Sequence, residues 1–281
     1  MTSTCGTLNC PCKEQSLEKA FSYDTPPEGE VAFDLGPKTT YKRQYDSCSI
    51  CGHYFSRHNM DLSSLYEASY IDATYGSEDG LRKTFERIIA LPPHKSDNTG
   101  RVAWVNEMAR SYLAKTTQMH EPSLLDIGSG LGVFPHAMAK IGWDVLALDP
   151  DPRSKGHLEK VAKVNAVTGD FLTIDSSKLG TYDLVTLNKV LEHVPNPFAM
   201  LERVKEILNP NGILYVELPD IAAACDPLGK KREEFFVDHI HVFSPSSAIR
   251  LGERAGFTLI KIERIIEPSS KYTMRILFRI K

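Results

Sequence analysis

Long apolar runs are missing from the 281 residues. None approaches the ~18 residues of a membrane span, and the N-terminus carries no apolar signal region. No membrane partner is expected, and the expected compartment is the cytoplasm. Neither sign of charge is in excess. Lys and Arg number 33 against 36 Asp and Glu, a net charge of −3, which gives no ground for nucleic acid as a partner. Internal repeats and low-complexity tracts are absent as well. With 42% apolar and 25% charged residues the composition is that of an ordinary globular protein. The length suits one large domain, or one domain with a small module. Cysteine nearly vanishes beyond residue 51, where Cys225 stands alone; Cys5, Cys10, Cys12, Cys48 and Cys51 crowd the first 51 residues. Without an export signal, such clustering points to metal rather than to disulfides.

Composition divides the chain in three. Residues 1–60 are rich in Cys, Pro and Gly, with strand-like pieces "VAFDL" and "YKRQYDSC", and read as a Cys-rich module. Residues 61–118 read as a helical lid or linker. "DLSSLYEASY", "EDGLRKTFERIIAL" and "RVAWVNEMARSYLAKT" place apolar residues at helical spacing, and Pro92 and Pro93 break the run. From 119 to 281 strands and helices alternate. Strands are expected at 124–127, 144–148, 165–167, 184–187, 213–217, 258–262 and 274–280, and helices at 133–141, 154–163, 197–208 and 245–255. "NPNG" and "AGF" are helix stops. Short buried strands between helices imply an α/β fold, a doubly wound and mainly parallel sheet covered on both faces.

The stretch "LLDIGSGLGVFPHAMAKIGWDVLALDPD" holds the strongest local signal. A strand ends near Asp126, glycines follow at 128, 130 and 132, a helix comes next, and a second strand ends at Asp149. In a doubly wound sheet the ligand lies beyond the carboxyl ends of the strands. Glycines there let the backbone turn tightly and approach a ligand, and the amides opening the next helix face the same space. A carboxylate at Asp149 can accept from both hydroxyls of a ribose. "GDF", after the third strand, offers the acid Asp170 to an exocyclic amine and the Phe171 ring to a purine. A dinucleotide loop, G-x-G-x-x-G, requires glycine at 133, where this chain has valine.

The D-x-G-x-G-x-G loop resembles that of the class I S-adenosylmethionine-dependent methyltransferases. The resemblance continues through "YDLVTLNKVLEHVPNP" and "LNPNGILYVELP" and covers roughly residues 100–281. It implies a seven-stranded sheet and S-adenosylmethionine as cofactor. It further implies that Gly128, Gly130 and Gly132 pack against the cofactor's amino-acid end, that Asp149 holds the ribose, and that Asp170 and Phe171 meet the adenine. Asp126 would orient the loop, and Asn188 and Glu192 would touch cofactor or substrate.

"CPC" (Cys10 to Cys12) and "CSIC" (Cys48 to Cys51) offer four thiolates, a set that suits a closed, structural tetrahedral zinc. Cys5, His53 and His58 are alternative ligands. "YKRQYDSCSICGHYFS" resembles the zinc-binding module ahead of methyltransferase domains in sugar C-methyltransferases and related glycan-pathway enzymes, although that pattern has C-x-x-C in both halves.

The chemistry needs a group that aligns an acceptor and takes its proton, and histidine is suited to that. His193 in "LEHVPNP" and His239 and His241 in "VDHIHVFSPSS" lie in expected loops at the carboxyl edge. "DHIHVFS" resembles the "E-H-x-x-Y-F-S" stretch of the sugar C-methyltransferases. That implies His239 as base, Asp238 in place of the glutamate, and His193 as second candidate. Tyr66, Tyr70, Tyr75 and Arg101 are candidate lid residues. The expected function is methyl transfer to a small molecule, a sugar or glycan-pathway intermediate. The alternatives are O- or N-methylation of another metabolite, or an inactive cofactor-binding protein.

Overall fold

A computed structural model describes residues 10–14, 16–30, 40–60, 78–114 and 121–281. "VAFDL", Cys5, Tyr66, Tyr70 and Tyr75 lie outside them. In chain order the elements are β1 (Leu17–Tyr23), β2 (Arg43–Cys48), β3 (Tyr54–His58), α1 (Glu78–Ile89), α2 (Asp97–Leu113), β4 (Ser123–Ile127), α3 (Val133–Lys140), β5 (Asp144–Asp149), α4 (Pro152–His157), β6 (Asn165–Thr168), β7 (Tyr182–Asn188), α5 (Pro197–Val204), β8 (Leu208–Pro219), β9 (His241–Val242), α6 (Pro245–Arg254), β10 (Phe257–Ile266) and β11 (Tyr272–Ile280). No helix among the described residues is long and apolar enough to cross a membrane.

Seven strands form one sheet in the order β10-β11-β8-β7-β4-β5-β6. The five strands from β8 to β6 run parallel, and β11 and β10 close one side antiparallel. The side-chain period of two sorts neighbours to opposite faces. Leu124, Leu184 and Ile213 join the core under α2 and α3, with Val105, Ala109 and Met138. Leu125, Val185 and Leu214 join the core under α5 and α6, with Leu201, Val204 and Leu251. The central strands are buried on both faces and so read as continuous apolar runs. The α2 helix, from the stretch read as lid or linker, is therefore one layer of this sheet; Ser96 caps it by accepting from Thr99 N.

Two expected boundaries shift. The helix opening at Pro197 ends at Val204, and "NPNG", expected as a helix stop, falls inside β8. The helix expected at 154–163 is α4 followed by a π-turn over Leu158–Ala162, closed by Lys163 at φ 60°.

The smaller sheet is antiparallel, in the order β1-β2-β3-β9. Its last strand comes from the far end of the sequence: Tyr54 pairs with Val242 and Phe55 with His241. Arg254, at the end of α6, donates to the carbonyls of Cys10 (2.9 Å) and Pro11 (2.8 Å). Arg43 and Glu30 form a buried ion pair at 2.8 Å, with Arg43 4.0 Å over the Tyr23 ring. Glu30 also accepts from Val237 N at 2.7 Å. The N-terminal sheet thus grips the segment that carries Asp238 and His239.

Candidate active site and metal centre

The carboxyl ends of β4, β5 and β7 meet at the point where the strand order reverses, β5 and β6 lying on one side of β4 and β7 and β8 on the other. The glycine loop fills this point, and each of its glycines has positive φ: 73° at Gly128, 49° at Gly130 and 72° at Gly132. Their surroundings differ. A methyl group on Gly128 would lie 2.7 Å from Val190 Cγ2, and one on Gly132 2.5 Å from Leu158 Cδ2. One on Gly130 would meet nothing within 4 Å. Two glycines serve packing, and the middle one leaves open space.

Asp149 lies behind that space. Its Oδ2 accepts from Gly130 N at 2.7 Å and its Oδ1 from Asp151 N at 3.0 Å. Burial pushes this carboxyl up, against the backbone donors that pull it down. Gly169 N donates to Asp149 O at 3.0 Å, which brings Asp170 alongside. Asp170 is exposed, and its Oδ1 accepts from Leu172 N at 2.9 Å. Asp126 is buried, and its Oδ1 accepts from Thr186 Oγ1 (2.6 Å) and Asn188 Nδ2 (2.7 Å). Burial raises Asp126 to about 6 despite these donors. Phe171 takes a different place from the purine-facing one expected. It is 3% exposed within the α5–α6 core, and Arg203 lies 5.6 Å over its ring.

A second group assembles beside the first. After Asn188 the chain turns through Lys189, at φ 55°, and reaches Glu192 and His193. Glu192 O accepts from Ile240 N (2.8 Å) and His241 N (3.1 Å). These bonds clamp the "LEHV" loop to the "DHIH" loop. His193 Nδ1 lies 2.8 Å from Asp238 O, and His239 Nδ1 2.9 Å from Glu234 O. Carbonyls only accept, so each Nδ1 carries a proton, and a neutral ring then has its lone pair on Nε2. The two imidazoles sit 4.9 Å apart, edge to face. Burial pushes His239 down to about 4, although the Asp238 carboxylate pulls it up. Tyr45 donates to His239 O at 2.7 Å. Glu192 is fully buried, and neither carboxylate oxygen has a hydrogen-bond partner. Burial raises its carboxyl to about 7.

His241 is placed elsewhere. Its Nδ1 meets His53 Nε2 at 3.0 Å and its Nε2 meets Val194 O at 3.1 Å, while His53 Nδ1 meets Ser247 Oγ at 3.2 Å. Both ring nitrogens of His53 are therefore engaged away from the cysteines. Arg101 clamps a carboxylate of the protein itself, reaching Glu217 through Nε (2.6 Å) and Nη2 (2.5 Å). Burial works to raise Glu217, but the Arg101 charge outweighs it and holds the carboxyl at about 2.

Cys10, Cys12, Cys48 and Cys51 come together as four buried thiols. Their sulfurs are 3.3 Å (Cys10–Cys12), 3.4 Å (Cys10–Cys51) and 3.7 Å (Cys12–Cys48) apart. Four sulfurs at ~2.3 Å from one zinc stand ~3.8 Å apart in a tetrahedron, so the set fits with a slight expansion. Gly52 at φ 69° and Lys13 at φ 66° turn the backbone behind each half.

Sequence reading missed Tyr45 and the Glu30–Arg43 pair as supports of the histidine loop. It gave Glu192 only a contact role. No local pattern marks them, because each acts on residues far away in the chain.

A doubly wound sheet with a glycine loop after its first strand and an acid ending its second defines a nucleoside-cofactor-binding protein. Residues 89–262, more than half of the chain, match the family model described as a methyltransferase domain, and the chain belongs to that family. It is 32% identical to the ubiquinone biosynthesis O-methyltransferase of Paraburkholderia xenovorans over 123 residues, 42% of this chain and 50% of the relative. The corresponding protein of Aeromonas salmonicida is 23% identical over 211 residues, 70% of this chain and 82% of the relative. The chain thus spans about half the length of the curated relatives matched first (50%). The fold is similar to the crystal structure of magnesium protoporphyrin IX methyltransferase from Synechocystis PCC 6803 with bound SAH. The TM-score is 0.55 at 16% identity, covering 76% of this chain and 100% of that one.

Proposed function

We propose that this chain transfers a methyl group from S-adenosylmethionine to a small-molecule acceptor. The observation that carries the reading is the Gly130–Asp149 pair, an open glycine backed by a buried acid at adjacent strand ends. Asp149 would take the ribose hydroxyls, Asp170 the adenine amine, and the loop at 128–132 the amino-acid end, with Asp126 and Asn188 bracing it from β4 and β7. The bound cofactor supplies an activated methyl on a sulfonium. This chain then has to orient an acceptor and receive its proton. His239, held by Glu234 and Tyr45, is the first residue for that role, with Asp238 beside it and His193 second.

The acceptor is read as a sugar or glycan-pathway intermediate, on the likeness of "DHIHVFS" and of the cysteine module to the sugar C-methyltransferases. The name of the Paraburkholderia relative favours a second reading, O-methylation of a hydroxyl on another metabolite. The four thiols are read as holding one structural zinc that fixes the N-terminal sheet against α6. In this reading residues 1–60 are the zinc module, 119–281 the cofactor domain, and 61–118 the segment between them. Incubation with methyl-labelled cofactor and nucleotide sugars, glycan precursors or phenolic metabolites, followed by mass spectrometry, tests the function. Label in none of these, in protein that binds S-adenosylhomocysteine, would refute the acceptor classes and leave the cofactor reading standing.

A further inference from the structure

Two further histidines, His53 and His241, lie outside the acid–base group and are 0% and 1% exposed. Phe55 and Phe243 pack edge to face on the His53 ring, with ring centres 4.4 and 4.6 Å away. Such surroundings favour the neutral imidazole. Every ring nitrogen of the pair still has a partner, and the partners fix the protons one after another. His241 Nε2 lies 3.1 Å from Val194 O. A carbonyl only accepts, so this nitrogen carries the proton and Nδ1 the lone pair. His53 Nε2 lies 3.0 Å from that Nδ1 and must donate to it. His53 Nδ1 is then left to accept from Ser247 Oγ at 3.2 Å. The chain has one direction, from Ser247 through His53 and His241 to Val194.

Its end point lies at the acceptor side. Val194 directly follows His193, and Glu192, which precedes it, accepts from His241 N at 3.1 Å. His241 therefore grips the carbonyls on both sides of His193, one with its backbone and one with its ring. It also lies two residues beyond His239, so it ties the backbone of one imidazole to that of the other. The two rings stand 4.9 Å apart. At the far end of the chain, Cys48 N donates to His53 O at 2.8 Å, and Ser247 belongs to the capping box of α6.

We propose that His53 and His241 are positioning residues of the acceptor side, a directed hydrogen-bond chain that holds His193 and His239 in register. The cysteine turn thereby shares in shaping the site as well as in folding the smaller sheet. The link to catalysis rests on the acceptor-side reading above; the hydrogen-bond chain does not. Without His53 the His241 ring loses the donor that orients it, and the loop loses its second hold. A displacement of about 1 Å in a reacting group can cost on the order of 10²-fold in rate.

Nitrogen-15 correlation spectra of the histidine rings, taken on the full chain with S-adenosylhomocysteine, read the chain directly. At neutral pH both His53 and His241 should carry their proton on Nε2. His53→Leu should shift the ring signals of His193 and His239. His53→Gln, whose amide donates from the place of Nε2, should return them to their wild-type positions. Unchanged S-adenosylhomocysteine affinity in both variants is the check on folding. Should His53→Leu not fold, His53→Asn replaces it, since its amide keeps the Nδ1 place and falls short of His241. With an acceptor labelled in the screen above, His53→Leu should lower kcat on the order of 10- to 10²-fold, with KM for S-adenosylmethionine unchanged and recovery in His53→Gln. A proton on Nδ1 of either buried ring in the wild type overturns the proposal. So do His193 and His239 signals that stay in place when His53 is lost. Label transfer is measured separately, so failure here and failure of the methyl-transfer reading are distinct results.

Discussion

Replacing Asp149 by asparagine exchanges one oxygen for an NH₂ group, and the surroundings of that oxygen set the consequence. Both carboxylate oxygens accept backbone N–H groups, Oδ2 from Gly130 at 2.7 Å and Oδ1 from Asp151 at 3.0 Å. An asparagine can serve one of them and must turn its own donors toward the other. The orphaned amide costs about 1–3 kcal/mol, on the order of 2–10 °C in Tm for a chain of this size. The cofactor loses more. Two ribose hydroxyls would donate to the same carboxylate, and losing those charged acceptors costs about 2–3 kcal/mol, or roughly 30- to 150-fold in affinity. Asp149→Ala should lose the same affinity and more stability, because both amides are then unpaired. Burial raises the Asp149 carboxyl, so affinity should also weaken as acid protonates it. Calorimetric titration with S-adenosylhomocysteine, paired with thermal unfolding, separates the two effects. A variant that melts lower yet binds at wild-type strength would reduce Asp149 to a brace for the loop and refute the ribose assignment.

Gly130→Ala and Gly132→Ala should part ways. At Gly132 the added methyl strikes Leu158 and Ala162, at 2.5 and 2.9 Å, so overpacking should cost about 1–3 kcal/mol in denaturant unfolding; at Gly130 the space is open, and cofactor affinity should suffer more than stability. Equal melting of the two variants would contradict this. Purified protein should carry about one zinc, and Cys48→Ser should release it and lower the melting temperature; metal-free wild-type protein of full stability would sink the reading. Glu217 is held at about 2 against an ordinary 4.5, so its stabilising share, about 3 kcal/mol, is fully present above pH 4.5 and lost as pH falls toward 2. Glu217→Gln should flatten that window, and Arg101→Met, by stranding the buried carboxylate, should cost about 3–5 kcal/mol at neutral pH; urea midpoints across pH decide both. Once an acceptor is known, His239→Ala should lower turnover on the order of 10²- to 10⁴-fold with little change in cofactor affinity, and near-normal turnover would pass the role to His193.

The sequence by itself determined what local chemistry can carry. Leu124 and Leu125 bury on opposite faces because a strand has period two, and the continuous apolar run that a doubly covered strand needs is visible in a short window. Gly128, Gly130 and Gly132 announce a tight loop because only glycine readily adopts positive φ, and Asp149 marks a strand end by following "VLAL". Other features depend on residues far apart in the chain, and no window contains them. His241, which reads as an acid–base candidate, becomes a strand partner of Phe55 and a hydrogen-bond partner of His53. Arg101, which reads as a lid residue, finds a carboxylate 116 residues away in Glu217. Phe171 follows the acid of "GDF" as a purine contact should, yet the core beneath α5 and α6 takes its ring. Glu192 is a polar residue in a loop motif until the fold removes every donor from its carboxylate. Whether a side chain meets solvent, a partner or nothing is settled by which distant elements pack over it, and only tertiary structure decides that.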